Sequence, residues 1–480
     1  MRILLLIVAV GFGVRVAYLA LAKSGPCRIA INGEVVATSP SECAQGDQIF
    51  YNAEANTVAA GRGFVEPLWS VTHPGEKPPP AADHPPLTVL VLAPVSWLSD
   101  HRPLSWIVHE PLHDHLREHR YTMVLLGTLV VFLVGLLGRR IGRYGAGGDG
   151  VGLVAAGIAA VSPNLWVNDG LVMSETITVL TVVGALLAAF WFRDRPAWPR
   201  AAALGALCGL AALARAELIL FVPLLAVVVV CTVRSPWAAR RGFAAAALVA
   251  GLLVIAPWAV FNVARFEDAT FLSTNDGLTL LGANCDPVYH GASIGLWSQD
   301  AARGCSLSPR PPGDQSQVDH EYRRVAVEYI RHHVSDLPLV VAARIGRTWS
   351  LYRPFDMVGY NVGEGRERWV TRAGIFVFYP TLVAAIGGAV VLWRRRLRAA
   401  LYILAVPAVV VTLSAAATYG QTRFRAVAEP SLALLAAVGT VALWQWHRRA
   451  PGNAEAEGSS GGTDSMHDRP LDAEHLETPL

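Results

Sequence analysis

Charge is what this sequence has little of. Asp, Glu, Lys and Arg make up 16% of its 480 residues, well below the roughly 25% of soluble domains, while 53% are hydrophobic. A soluble globular chain is excluded. Lysine stands only at positions 23 and 77. Positive charge therefore rests on arginine, clustered beside apolar runs and forming no basic stripe, which argues against nucleic acid as a partner. A Walker motif and a dinucleotide fingerprint are both missing, so a soluble nucleotide donor has no evident cytoplasmic site. The internal or inverted repeats of transporters are not visible either.

What is there is a succession of apolar runs long enough, or nearly so, to cross about 30 Å of hydrocarbon. They fall at 3–22, 121–138, 151–167, 171–192, 201–214, 218–233, 243–263, 374–393, 399–418 and 430–446. The expected fold is an all-α polytopic membrane protein of about ten transmembrane helices. The fifth and sixth runs are short and separated only by Arg215, Ala216 and Glu217. Counting them apart, with a cytoplasmic N-terminus, puts the short Arg-rich connections 139–143, 193–200, 234–241 and 394–398 inside, with Arg448 and Arg449 at the inner end of the last run. The positive-inside rule asks for this arrangement. Both termini are then cytoplasmic in a multi-pass plasma-membrane protein. Residues 1–449 read as one membrane domain, and the Gly-, Ser-, Asp- and Glu-rich segment 450–480 reads as a disordered tail. The first run carries Arg15 and Tyr18 and no convincing cleavage site, so it reads as a retained span.

Two large segments, 23–120 and 264–372, remain on the extracytoplasmic side. They hold Cys27 with Cys43 and Cys285 with Cys305, whereas Cys208 and Cys231 lie in apolar runs. In an oxidising compartment each loop pair can close a disulfide over roughly 15 to 20 residues, worth about 3 kcal/mol; unrelated free thiols are the alternative. The stretches 49–60, 87–98 and 335–352 are too short to span and suit helices lying at the membrane interface.

Asp47 opens the first of these helices, as an N-cap or as a general base at the water–lipid boundary. Glu175 falls near the outer end of the fourth apolar run, where an ionisable group is costly and normally lines a cavity. Asp169 reads as an ordinary loop or helix-start residue. Arg215 is either an ion-pair partner of Glu217 or a cation facing a lipid phosphate. Arg423 and Arg425 stand on the outer side just before the last run, against the charge rule, which suggests phosphate recognition, with Glu429 able to neutralise one of them. Arg344, Arg347 and Arg353 are weaker versions of the same idea. The His73, Asp83, His84, His109, His113, Asp114 and His115 set offers metal ligands without a standard spacing, so a divalent metal is possible and no cofactor is certain.

The stretches GDQIFYNAEANTVAAGRGF and HPPL in the first loop, SPNLWVNDGLVMSE, GLAALARAE and YGQTRFRAVAEP occur in an order and sidedness that resemble the GT-C glycosyltransferases. The likeness is particularly to the protein-mannosyltransferase and aminoarabinose-transferase branch. The resemblance implies transfer of a sugar from a polyprenyl-phosphate donor to a glycan, lipid or protein acceptor on the outer face, with inversion. It makes Asp47 the base that deprotonates the acceptor hydroxyl, and Glu175 an acidic cavity position. His84 and Tyr51 then belong to the substrate-binding side, beside Arg215, Arg423 and Arg425 as cations for the leaving phosphate. Where some relatives carry a second acid after the catalytic aspartate, this chain has Gln48. A transporter or flippase of a lipid-linked sugar is the rival reading, and a non-catalytic envelope scaffold a third.

Overall fold

The computed structural model describes residues 1–24, 27–31, 34–38, 44, 46–69, 73, 75–100 and 115–449. The 450–480 tail, Cys43, His109, His113 and Asp114 lie outside the described residues, as does the side chain of Cys27; the expected Cys27–Cys43 pair therefore does too. The chain is an all-α polytopic membrane protein, and every expected apolar run forms helix. Among the described residues six helices are long and apolar enough to cross a membrane: Arg2–Ala22, Leu116–Ala146, Glu175–Asp194, Trp237–Val263, Arg368–Arg394 and Arg398–Ala417. A seventh joins them if Gly150–Val161 and Pro163–Asp169 count as one span bent by 57°. Trp198–Ala214 and Ala216–Thr232 are shorter apolar helices, and Glu429–Arg449 is the last helix of the described chain.

Two departures from the expected runs create the site. The third run breaks at Ser162, because Pro163 at the start of the next helix has no N–H to continue the ladder. The fourth begins its helix at Glu175 and not at 171. Both acids that flank the segment between them, Asp169 and Glu175, are buried. Asp169 is thus not the ordinary loop residue expected. It pairs with Arg15 of the first helix at 2.6 Å and accepts from Thr176 at 2.8 Å. Gly127 makes room for it, since a Cβ there would sit 2.1 Å from the Asp169 carboxylate. Two charges taken out of water together cost less than either alone.

The two long segments between apolar helices pack on this bundle. In the first, Asp47–Ala59 and Leu87–Asp100 are helices, and Tyr51, Ala55, Val89 and Leu92 form a buried cluster with Met123, Val172, Ile177 and Ala214. A short antiparallel pair of strands, Cys27–Ile31 with Glu34–Thr38, was not expected. Asn32-Gly33 between two alternating runs is the hairpin signal that announces it. In the second segment, Cys285 and Cys305 form the expected disulfide, and helix Gln315–His332 starts from a complete capping box, Asp314 with Gln317. Gln315 ties the two segments together: its side chain accepts from the Ala82 amide at 3.0 Å and donates to Glu66 at 2.6 Å and Asp83 at 3.0 Å. Arg265 adds a bond to the Phe64 carbonyl at 2.7 Å.

Candidate active site

The chain breaks at Arg215. Helix Trp198–Ala214 ends there in extended backbone and a 3-10 turn, Ala216–Leu220, follows. This break, which the two short runs foreshadowed, brings the Arg215 guanidinium onto the first turn of the Glu175 helix. Arg215 Nη1 lies 3.1 Å from Glu175 Oε1, and its Nε lies 2.6 Å from Glu217. The late segment contributes Arg423 from the 3-10 turn Thr422–Val427. Its Nε approaches the same Glu175 oxygen at 3.7 Å, and Arg366 approaches it at 3.9 Å. One carboxylate, 2% exposed, thus gathers three guanidiniums, and the Phe424 ring lies against two of them, 5.1 Å from Arg215 and 5.9 Å from Arg423.

Asp47 faces this floor. It is the first residue of its helix, and the cap is Gly46, with φ of 58° and no side-chain bond. The capping role is therefore not the one Asp47 plays. Its Oδ2 accepts from Arg423 Nη1 at 2.9 Å, and His84 Nε2 lies 3.9 Å from its Oδ1. Burial alone would lift the Asp47 carboxyl, but Arg423, then His84 and Arg215, outweigh it and hold the group down at about 2. Burial lowers the His84 pKa while Asp47 opposes the change. The ring sits between Phe50 at 5.0 Å and Tyr51 at 4.7 Å. Tyr51 is part of the buried cluster as well as the cavity wall, with its hydroxyl bonded to Ser174.

These groups border a cavity of about 810 Å³ lined by Asp47, Tyr51, His84, Arg215, Glu217, Tyr419 and Arg423. Glu175 lies beneath its cations. Farther out, the second segment adds Asp268, Asp276 and Asp319 to the wall, with Asp83 from the first. Burial and then Glu66 push Asp83 up to about 7; burial and then Asp319 push Asp276 up to about 6. The cavity has paired arginines and carboxylates at its floor and further carboxylates toward the second segment.

Arg425 is not brought to this cavity. Helical turning sends it the other way, where it donates to Glu429 and Ser350, each at 2.8 Å, and covers the Phe378 ring at 3.7 Å. Arg344 and Arg347 are likewise spent on backbone carbonyls, of Ala283 and of Ile294, and Arg353 pairs with Asp356. The residues that sequence reasoning passed over are Glu364 and Arg366. Glu364 accepts from Arg423 at 2.8 Å and Gln421 at 2.7 Å and pairs with Arg366. The dense run GEGRER, both signs together just outside a span, was the available signal. Gln48 donates to the Glu364 carbonyl at 2.9 Å, a bond that an ionised acid at this position cannot make. Among the described residues no group of three or more His, Cys, Asp or Glu is arranged to hold a metal, and the Asp47 carboxylate already carries a guanidinium.

No protein-family model matches the chain, and no curated protein matches it. Solved structures do. The chain superposes on the oligosaccharyltransferase AglB of Archaeoglobus fulgidus, in complex with an inhibitory peptide and a dolichol-phosphate, with a TM-score of 0.51 at 12% identity, over 97% of this chain and 52% of that one. A complex of the same organism's oligosaccharyltransferase with Zn and sulfate gives 0.51 over 96% and 51%. This chain spans about half the length of those proteins. ArnT of Cupriavidus metallidurans, bound to undecaprenyl phosphate, aligns at 0.36 and 15% identity over 94% and 80%, too loosely to argue from. The chain thus shares its fold with that oligosaccharyltransferase, a likeness in line with the resemblance read from the sequence.

Proposed function

We propose that this protein transfers a sugar from a polyprenyl-phosphate-linked donor to an acceptor hydroxyl at the extracytoplasmic face of the membrane, with inversion at the anomeric carbon. The observation that carries the reading is that a carboxylate, Asp47, and two cations, Arg423 bonded to it and Arg215 nearby, border one cavity. The base removes the proton of the acceptor hydroxyl as that oxygen bonds to the anomeric carbon. The bond from that carbon to the phosphate oxygen breaks on the far side, and the phosphate leaves with the electron pair. Its charge falls on guanidiniums fixed beforehand by Glu175, so little reorganisation is needed as charge develops. AglB, which shares the fold, carries a dolichol-phosphate in its complex, and this supports a lipid phosphate as the leaving group here.

The test is Asp47→Asn in purified protein supplied with polyprenyl-phosphate-sugars and a panel of acceptors. Loss of the general base is expected to lower turnover about a thousandfold with lipid-phosphate binding retained. Turnover equal to the wild type overturns the mechanism.

A further inference from the structure

Three guanidiniums of the floor, Arg215, Arg366 and Arg423, stand among four carboxylates, Asp47, Glu175, Glu217 and Glu364. The cluster carries one negative charge in excess, and an anionic donor phosphate entering it unchanged meets repulsion. Some carboxylate has to yield, and the geometry separates them. Glu175 is 2% exposed and shared by three cations. Glu364 lies behind Arg423, held by Gln421, Arg366 and the strap that Gln48 fastens, and does not border the cavity. Asp47 begins a helix and serves as the base.

Glu217 differs from Glu175 and Glu364 in exposure and in facing the cavity; Asp47, 31% exposed, shares both features but is reserved for the base. Glu217 borders the cavity, its side chain is 29% exposed, and Arg215 is its ion-pair partner, through Nε at 2.6 Å. Arg215 presents its other edge to Glu175, so Glu217 covers a cavity-facing donor that a phosphate needs. Resting on the transferase reading, we propose that Glu217 is a stand-in anion: it occupies the phosphate's place on Arg215 in the empty site and is displaced when the lipid phosphate binds. The competing carboxylate sets how tightly the site holds both the donor and the spent carrier, and it keeps Arg215 in position when the cavity is empty.

This makes a prediction whose sign a merely supporting residue would not give. Glu217→Gln removes a charge-assisted competitor and is expected to bind a polyprenyl monophosphate in nanodiscs about tenfold more tightly than the wild type. KM for the donor falls with it, and kcat falls too as release of the spent carrier slows. Glu217→Asp keeps the charge on an arm too short to reach Arg215, and is expected to bind as tightly as Glu217→Gln. A wild-type affinity in Glu217→Asp, with tightening only in Glu217→Gln, would show a general field effect and overturn the stand-in role. Unchanged or weaker binding in Glu217→Gln overturns it as well, while leaving the transferase reading in place. If the wild type takes up no lipid phosphate at all, the transferase reading falls and this inference with it.

Discussion

Asp169 and Glu175 lie six residues apart on either side of one turn, and both are buried beside arginine. Asp169 meets one cation, Arg15, in a sealed contact closed on its remaining side by Thr176. Glu175 meets three, at 3.1, 3.7 and 3.9 Å, and its second oxygen has no hydrogen-bond partner among the described residues. The sealed pair is satisfied and holds two helices together. The open cluster is over-supplied with cations at its centre and satisfied only by carboxylates around its edge, so it can exchange partners. The same chemistry therefore serves as a fastener in one place and as a binding floor in the other, according to whether a cavity reaches it.

The contrast can be broken from the sealed side first. Asp169→Asn leaves the Arg15 charge buried with no opposite partner, and is expected to cost about 3–5 kcal/mol of stability, read as a lowered thermal midpoint in detergent; transfer per folded molecule should persist. A smaller effect is expected where two arginines of one segment are compared. Arg423→Ala should lower transfer about a hundredfold with folding retained, because a cation aimed at the leaving phosphate is lost. Arg425→Ala should do the reverse, lowering stability by leaving Glu429 unpaired while the turnover of folded protein changes little. If both variants fail in the same way, the division between floor and fastener is wrong.

The smallest effect sharpens the acidic side of the cavity. Asp83 titrates at about 7 in the folded protein against an ordinary 3.8, so the folded state holds its proton more tightly than the unfolded chain between those values. Stability from this group is present at low pH and is lost as pH rises from about 4 to 7. Asp83→Asn should flatten that part of the plot of thermal midpoint against pH, and an unaltered slope would deny Asp83 the role.

Much of the frame was legible because apolar length is written residue by residue: each expected run became helix, and the split at Arg215 was visible as two short runs around a charge. The bend at Pro163 was also within reach, since the proline stands inside the run. What could not be read was which charge chooses which. Arg423 and Arg425 are two residues apart with the same chemistry, and only the turn of a 3-10 segment sends one toward Asp47 and the other toward Glu429. Glu364 lies 317 positions from Asp47 in the chain, yet both grip the same nitrogen of Arg423, a coincidence that periodicity does not encode.

Gln315 has a consequence for time as well as for shape. With its side chain it bonds the Ala82 amide, Thr274 Oγ1, Glu66 and Asp83, beside a main-chain bond from Thr274 to Ala82, so the two outer segments part only when the whole set opens together. Deuterium uptake at the amides of Ala82 and Thr274 then works as a clock for that opening.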